Sequence, residues 1–435
     1  MRTLVRELAE KVGKEVSVQG WLHKKRLLGG LNFISVRDRS GLVQSLIEDK
    51  DEMEKLRGMQ IGTVVEFTGK VCEDARAPGG VELHDVKVEV LASVTEEPII
   101  EIDKPISHKP EHLDTLFETR VLNVRNLQEQ KIFKIRAGMT QKIREFLIDK
   151  EFVEIDTPKL LGAATEGGAE VFTLDYFGKE ATLAQSPQFY KQIMVGAFER
   201  VFEIGHAYRA EPSATTRHVT ELTMLDIEMG FVKDHAEVRK MVGDMTKFVL
   251  RETYEKYAEE LKSLQAPELK LTDEIPEFTI AEIHEMYTKK TGTDTIGEKD
   301  LTPDEERFIC EYARKELGSD LVFATEFPIE AAKFYHKVDA ERGVTMWADL
   351  LYRGLEIATC PLRENNYEKM IEQMKAAGLD VEKPGYKYYL QAFRFGLPMH
   401  GGCGFGVDRL VQKTMGLANI KEAQLFPRDL NRLTP

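Results

Sequence analysis

The stretch VFEIGHAYRAEPSATTRHVTELTMLDIEM, Val201 to Met229, decides the fold. Apolar residues alternate through Val201, Ile204 and Tyr208, the pattern breaks at Glu211-Pro212-Ser213, and alternation resumes through Leu222, Met224 and Leu225. Alternation interrupted by polar residues and a proline reads as two antiparallel strands joined by a polar loop. The ends of that loop carry Arg209, Glu211, Arg217 and His218, so two guanidiniums, an imidazole and a carboxylate gather at one end of a hairpin. Guanidinium suits forked recognition of phosphate or carboxylate, and donors fixed before reaction stabilise charge that develops on phosphorus. A surface hairpin with solvated charges satisfies the same pattern, and this stretch alone leaves both readings open.

At 435 residues the chain exceeds one ordinary core, so two or more domains are expected. A hydrophobic content of 42% and a charged content of 31% describe a globular protein. No apolar run approaches a membrane span and MRTLVRELAEK is amphipathic, so no membrane association and a cytoplasmic location are expected. The four cysteines, Cys72, Cys310, Cys360 and Cys403, lack C-x-x-C spacing, which speaks for reduced thiols over a zinc site or a disulfide framework. A net charge of −14 gives no overall basic footprint, yet His23-Lys24-Lys25-Arg26, with Arg37 and Arg39, is locally basic. A solvated charged turn would look the same.

Short β-rich segments, VSVQGWL, LNFISVRDRSG, LVQSLIED, TVVEFTGKV and VELHDVKVEVL, run from Glu15 to about Val94, with one helical stretch near Glu52 to Arg57. Five such strands predict an OB-fold barrel over residues 1–95. Trp21 and Phe33 are stacking platforms or core residues, and for Trp21, beside Gly20 inside a strand, the core is preferred. Residues 96–124, with Pro98, Pro105 and Pro110 among charges, read as a hinge. A second domain is expected over 125–435, opening with a periodic helix at Ile132–Ile148 and a strand ending at Pro158. A helical, charge-rich insertion is expected at about 232–340. The final segment pairs a glycine-rich turn with a helix opening near Val407, where backbone approaches a ligand and a helix start favours anions. The predicted class is α+β, a barrel followed by an antiparallel sheet flanked by helices.

The hairpin with its RAE and RH residues resembles motif 2 of class II aminoacyl-tRNA synthetases, in the aspartyl/asparaginyl subgroup of archaeal type. The resemblance continues in AATEGGAEVF from Ala163, LAQSPQFYKQ from Leu183, RGLEIATCPLRE from Arg353, HGGCGFGVDRL from His400 and the ending LFPRDLNRLTP. It implies an anticodon-binding barrel and a class II catalytic domain whose Ile132 helix and following strand form a twofold homodimer. Periodicity alone leaves an ordinary core helix equally open there.

The resemblance implies that ATP and L-aspartate form aspartyl-adenylate, and that the aspartyl group then passes to tRNA. The attacking carboxylate is already ionised near neutral pH, so the first step needs positioning and charge neutralisation in place of a general base. Arg209 and Arg409 are the expected catalytic residues, Arg209 bridging the substrate α-carboxylate and the α-phosphate. Glu211 would read the adenine edge, while Arg217, His218 and Arg409 would hold the outer phosphates. Ala210, Val219, Gly406, Val407 and Asp408 complete the expected ATP site. Magnesium suits hard oxygen ligands, and Glu356, the Thr359 hydroxyl and Asp349 are the expected set. Asp349 could equally be the partner of a nearby arginine. Where the family commonly has Ser-Ser-Gly-Gly-Gln, this chain has Ala358 to Leu362, which keeps a hydroxyl at Thr359 and introduces Pro361.

Lys191 falls where aspartyl members of the family carry lysine, and with Arg363 it would present two cations to the substrate β-carboxylate. Asparagine would leave those cations unpaired, at a cost of ~3–5 kcal/mol. Ser186, Gln188 and Glu166, with Arg209 and Thr359, would orient the amino acid. His23 and the Ala77-Pro78-Gly79 loop depart from the tryptophan and lysine of enzymes that reject tRNA-Asn. The departure implies a non-discriminating enzyme that charges both tRNA-Asp and tRNA-Asn and supplies a tRNA-dependent amidotransferase. The alternatives are a discriminating aspartyl- or asparaginyl-tRNA synthetase, an asparagine-forming paralogue, and an OB-fold RNA-binding protein with a decayed catalytic domain. Lys191, the barrel, and the trio Arg209, Glu356 and Arg409 weigh against the last three in turn.

Overall fold

A computed structural model describes residues 2–27, 32–162, 170–212 and 215–435. They form two compact units, residues 1–130 and 131–435. The first is built on a closed barrel of β1 (Glu15–Leu27), β2 (Asn32–Arg37), β3 (Leu42–Ile47), β4 (Val64–Glu73) and β5 (Val81–Ala92), in the order β1-β2-β3-β5-β4. Alternate residues point inward, and Val18, Leu22, Ile34, Val36, Val43, Phe67 and Leu83 are fully buried. Helix α1 (Lys50–Arg57) lies between β3 and β4, where the sequence placed its helical stretch.

Trp21 stands outside this core. It is half-buried, with the Arg37 guanidinium 4.8 Å from its ring centroid on the neighbouring strand. Phe33 is also half-buried. The local basic patch is thinner than the sequence suggested, because the Lys25 ammonium is spent on the carbonyls of Leu56, Arg57 and Met59 at 3.3, 3.1 and 2.6 Å. Those carbonyls end α1, where a cation is favoured. The expected hinge at 96–124 holds folded structure, with helices at Leu113–Glu118 and Arg120–Asn123. The prolines hid this, since what orders the segment is the fully buried Arg120, bonded to Glu129 Oε2 at 3.1 Å and beside buried Leu116 and Phe117.

The second unit carries an eight-stranded sheet. Its strands are β6 (Val153–Glu154), β7 (Arg200–Tyr208), β8 (Glu221–Gly230), β9 (Glu277–Thr279), β10 (Leu321–Thr325), β11 (Trp347–Tyr352), β12 (Glu356–Pro361) and β13 (His400–Gly406). In space the order is β9-β10-β11-β12-β13-β8-β7-β6, antiparallel except for the outermost pairs, β9 with β10 and β7 with β6, which are parallel. Helices α2 (Leu127–Asp149) and α3 (His235–Lys256) contribute Ile132, Ile135, Met139, Val242, Met245 and Val249 to the core against this sheet. Among the described residues no helix is long and apolar enough to cross a membrane.

Three expectations need correction. The stretch 232–340 is not wholly helical, because β9 and β10 leave it to join the main sheet, and all five residues of β10 are buried. A short strand buried on both faces has no alternation to read. The strand expected to end at Pro158 has only two residues, Val153 and Glu154. The expected glycine-rich turn at His400–Gly406 is itself a strand, central in the sheet.

Candidate active site

The glycines of β13 define the floor of the site. Gly402, Gly404 and Gly406 lie opposite Glu228, Asp226 and Met224 of β8, while Cys403 and Phe405 between them point into the core. A Cβ at Gly402 would stand 1.9 Å from the Ile227 carbonyl oxygen, so only glycine lets these backbones meet. Register then sets Asp349, Thr359, Gly404 and Asp226 side by side across β11, β12, β13 and β8. The missing side chain at Gly404 leaves space between the two carboxylates. Pro361 ends β12 opposite Trp347 without breaking the strand.

Above this floor is a cavity of about 320 Å³ lined by Ser186, Gln188, Lys191, Arg209, Glu211, Arg217, His218, Val219, Asp349, Glu356, Thr359, Arg363, Gly406, Asp408 and Arg409. Residues from five separate stretches of sequence therefore converge. Arg209 is held at the hairpin tip by its own N–H donating to Thr220 O at 2.9 Å. Its guanidinium lies 3.6 Å from Glu211, which is also 3.8 Å from His218 Nε2. Burial pushes the His218 imidazole below its usual range, and Arg409, Arg217 and Arg209 add to this against the pull of Glu211. Its surroundings thus favour the neutral imidazole over the cation. Arg409 donates to Glu356 O at 2.8 Å and Glu356 Oε2 at 3.1 Å. Burial raises the Glu356 carboxyl, but Arg409 and Arg209 outweigh it and hold the group below the ordinary range. Both expected catalytic arginines thus act electrostatically on one carboxylate.

Asp349 behaves differently. Burial first, then Glu356 beside it, pushes its carboxyl well up, and its Oδ1 is shielded from solvent with no hydrogen-bond partner. The arginine partner considered from the sequence is not what holds this oxygen. An orphaned carboxylate oxygen next to a second carboxylate, with the Thr359 hydroxyl donating to Glu356 Oε1 at 3.2 Å, fits a magnesium ion, whose charge would relieve the repulsion. Among the described residues no three His, Cys, Asp or Glu side chains form a metal-binding group, so an ion here would draw its remaining ligands from phosphates and waters.

The wall that carries Lys191 and Arg363 is built on charge pairs that the sequence does not announce. Lys191 Nζ donates to Asp226 Oδ1 at 2.8 Å and Cys403 O at 2.9 Å, and lies 3.7 Å from Glu228 Oε2. Arg363 grips Glu228 with Nε and Nη2 at 3.0 and 3.1 Å. Lys191 and Arg363 therefore share a carboxylate on one wall, and both are almost fully buried. Burial raises the Glu228 carboxyl, but Arg363 and Lys191 prevail and keep it below its usual range. Asparagine would thus leave no bare cation, contrary to the argument from sequence. The signal for these partners was present in Asp226 and Glu228, two acids at alternate positions of an apolar strand. Asp300, Glu306, Lys333, Tyr335 and His336 also line the cavity and gave no signal.

Two of the expected ATP-site residues lie off the cavity. Val407 is fully buried in the core and Ala210 does not line the cavity. Asp408 reaches the cavity wall, but its oxygens accept from Arg136 Nη2 at 2.6 Å, Thr223 N at 2.9 Å and Gln424 Nε2 at 2.7 Å. These bonds fix the helix Val407–Met415 that presents Arg409. Glu166 lies outside the described residues. His23 and Pro78 belong to the barrel unit. His23 is 9% exposed, its imidazole lowered by burial and then by Arg37, while Pro78 is exposed at the start of a turn.

The model of the class II tRNA synthetases (D, K and N) matches residues 112–430, and that of the OB-fold nucleic acid binding domain matches residues 16–91. An aspartate–tRNA(Asp/Asn) ligase of Thermus thermophilus is 39% identical over the full length of both chains. A protein of the same name from Deinococcus radiodurans is 38% identical over 100% of this chain and 99% of its own. Among solved structures, asparaginyl-tRNA synthetase from Pyrococcus horikoshii complexed with asparaginyl-adenylate superposes with a TM-score of 0.91 at 31% identity, covering both chains fully. The chain belongs to the class II tRNA synthetases of the D, K and N group.

Proposed function

We propose that this enzyme joins L-aspartate to tRNA through aspartyl-adenylate and charges both tRNA-Asp and tRNA-Asn. The observation that carries the amino-acid choice is the pair of buried cations, Lys191 and Arg363, around Glu228 at the end of the cavity that also holds Arg209 and Arg409. Lysine and arginine are donors only. The aspartate β-carboxylate accepts from both, whereas the asparagine amide turns an N–H2 donor towards donors. A buried donor left unpaired costs ~1–3 kcal/mol, roughly a 5- to 150-fold preference for aspartate.

In this reading the ionised α-carboxylate attacks the α-phosphorus, the bond to the β-phosphate oxygen breaks and pyrophosphate leaves. Arg209 orients the carboxylate and neutralises charge at the α-phosphate. Arg217, His218 and Arg409 receive the outer phosphates, Glu211 contacts the base, and Ser186, Gln188 and Thr359 face the amino acid. Glu356, Asp349 and Thr359 would hold Mg2+, which supplies charge neutralisation to the triphosphate. A hydroxyl of the terminal ribose of tRNA then attacks the aspartyl carbonyl, the bond to the AMP phosphate breaks and AMP leaves, while the barrel binds the anticodon.

The relatives named for both tRNAs support the non-discriminating reading, as does His23 in place of tryptophan. A tRNA-dependent amidotransferase as the user of aspartyl-tRNA-Asn, a homodimer formed around α2, and a cytoplasmic location complete the proposal. The asparaginyl reading is favoured by the P. horikoshii structure, but at 31% identity against the 39% of the aspartate ligase. ATP–pyrophosphate exchange decides between them: aspartate should support exchange and asparagine should not, and asparagine-dependent exchange would overturn the assignment.

A further inference from the structure

Among the described residues, Arg209, Arg217 and Arg409 of the cavity each face a carboxylate, Glu211, Glu306 and Glu356 in turn, and Glu306 comes from a segment far from the hairpin and from β12. Glu306 stands on the helix Pro303–Tyr312. The start of that helix is fixed by Thr302, whose hydroxyl accepts from Glu305 N at 3.3 Å while Glu305 Oε2 accepts from Thr302 N at 2.9 Å. Glu305 also meets His284 Nδ1 at 2.6 Å and is fully buried. With Glu305 locked inward by the cap, the next residue turns to the cavity, where Glu306 Oε2 accepts from Arg217 Nη2. Glu306 is 8% exposed. Burial pushes its carboxyl above the usual range, Arg217 opposes this, and Glu356 adds to it.

Arg217 sits on the connection between β7 and β8, and its long side chain has many rotamers to lose. A guanidinium offers five N–H donors in one rigid plane, so a carboxylate that fixes one arm also fixes where the others point. We propose that Glu306 is a positioning residue for ATP: it holds Nη2 of Arg217 so that the remaining N–H groups of the fork face the outer phosphates. The proposal rests on the reading of Arg217 as a phosphate ligand. It gives the segment between the hairpin and β11 a part in nucleotide binding without contact between Glu306 and ATP.

The test is a double-mutant cycle by aspartate-dependent ATP–pyrophosphate exchange on the full-length chain. Glu306→Ala should raise the KM for ATP about tenfold while kcat and the KM for aspartate stay within about twofold. Glu306→Gln keeps the acceptor and should restore the KM for ATP to within about threefold of the parent. Arg217→Ala should raise it as well, and adding Glu306→Ala to Arg217→Ala should change nothing further. If Arg217→Ala leaves the KM for ATP unchanged, the phosphate role of Arg217 falls and the proposal falls with it. If Arg217→Ala raises it but Glu306→Ala does not, or the two effects multiply in full, or the Glu306 variants lower kcat and both KM values together, the proposal alone is overturned.

Discussion

Lys191 binds two buried carboxylates before any substrate arrives, so its replacement has two separable consequences. Lys191→Met leaves Asp226 and Glu228 short of a cation, and removing one partner of a buried pair costs ~3–5 kcal/mol. Chemical denaturation should register a loss of that size, and exchange assays should show a KM for aspartate raised at least tenfold. Adding Asp226→Asn removes the stranded charge. Stability should then recover in part and aspartate binding should not. Recovery of both would mean that Lys191 serves the fold and not the substrate. The glycines of β13 separate in the same way. Gly402→Ala drives a methyl into the Ile227 carbonyl and should prevent folding. At Gly404 the nearest atom to a new methyl is the flexible Met224 Cε at 3.2 Å. Gly404→Ala should therefore fold, keep its unfolding midpoint to within ~1 kcal/mol of stability, and lose amino-acid affinity because the methyl enters the floor of the cavity.

At the scale of elements, α3 is pinned to β12 by His235, whose Nε2 meets Cys360 O at 2.7 Å while Nδ1 meets Arg239 Nη1 at 2.8 Å. A neutral ring that donates from Nε2 and accepts at Nδ1 satisfies both contacts, and protonation would set Nδ1–H against a guanidinium. Burial brings the imidazole down from 6.5 to about 4. Between these values the unfolded chain binds a proton and the folded one does not, so folding stability falls as pH drops from 6.5 to 4 and is unaffected by this group above that window. The full loss is about 3 kcal/mol. Unfolding titrations of the parent and of His235→Gln should diverge in pH dependence only across this window; equal slopes would contradict a neutral buried His235. Legibility in the sequence varied by element for physical reasons. The hairpin and the barrel strands have one face in water or over a cavity, so their alternation survives in the letters. β10 is buried on both faces and shows none. β13 reads as a turn in the sequence because glycine usually marks one, whereas here alternate glycines keep a strand face open. Arg120 hid inside a proline-rich segment because a paired buried arginine cannot be told from an exposed one by spacing.

At the scale of the molecule, activation and tRNA recognition fall to separate units, the cavity lying wholly within residues 131–435 and the barrel within 1–130. Variants of the barrel should therefore change tRNA kinetics and leave pyrophosphate exchange alone. Phe33 is a half-buried aromatic on β2, suited to stacking an unpaired base. Stacking is worth ~1–3 kcal/mol, so Phe33→Ala should raise the KM for tRNA roughly 5- to 150-fold with exchange unchanged. An equal fall in exchange would contradict the division of the two tasks between the units. The convergence of distant cations was legible because each sits in a motif with its own chemistry. Their acidic partners were less so, since Asp226, Glu228 and Glu306 acquire meaning only through the register of neighbouring strands and the packing of a helix. Selection of aspartate by the cavity and admission of two tRNAs by the barrel are the two halves of the proposed function. Aminoacylation of purified tRNA-Asp and tRNA-Asn by the full-length chain, run in parallel with aspartate and with asparagine, tests both halves at once. The expected result is aspartate on both tRNAs and asparagine on neither; asparagine transfer, or a tRNA-Asn that stays uncharged at comparable concentration, would contradict it.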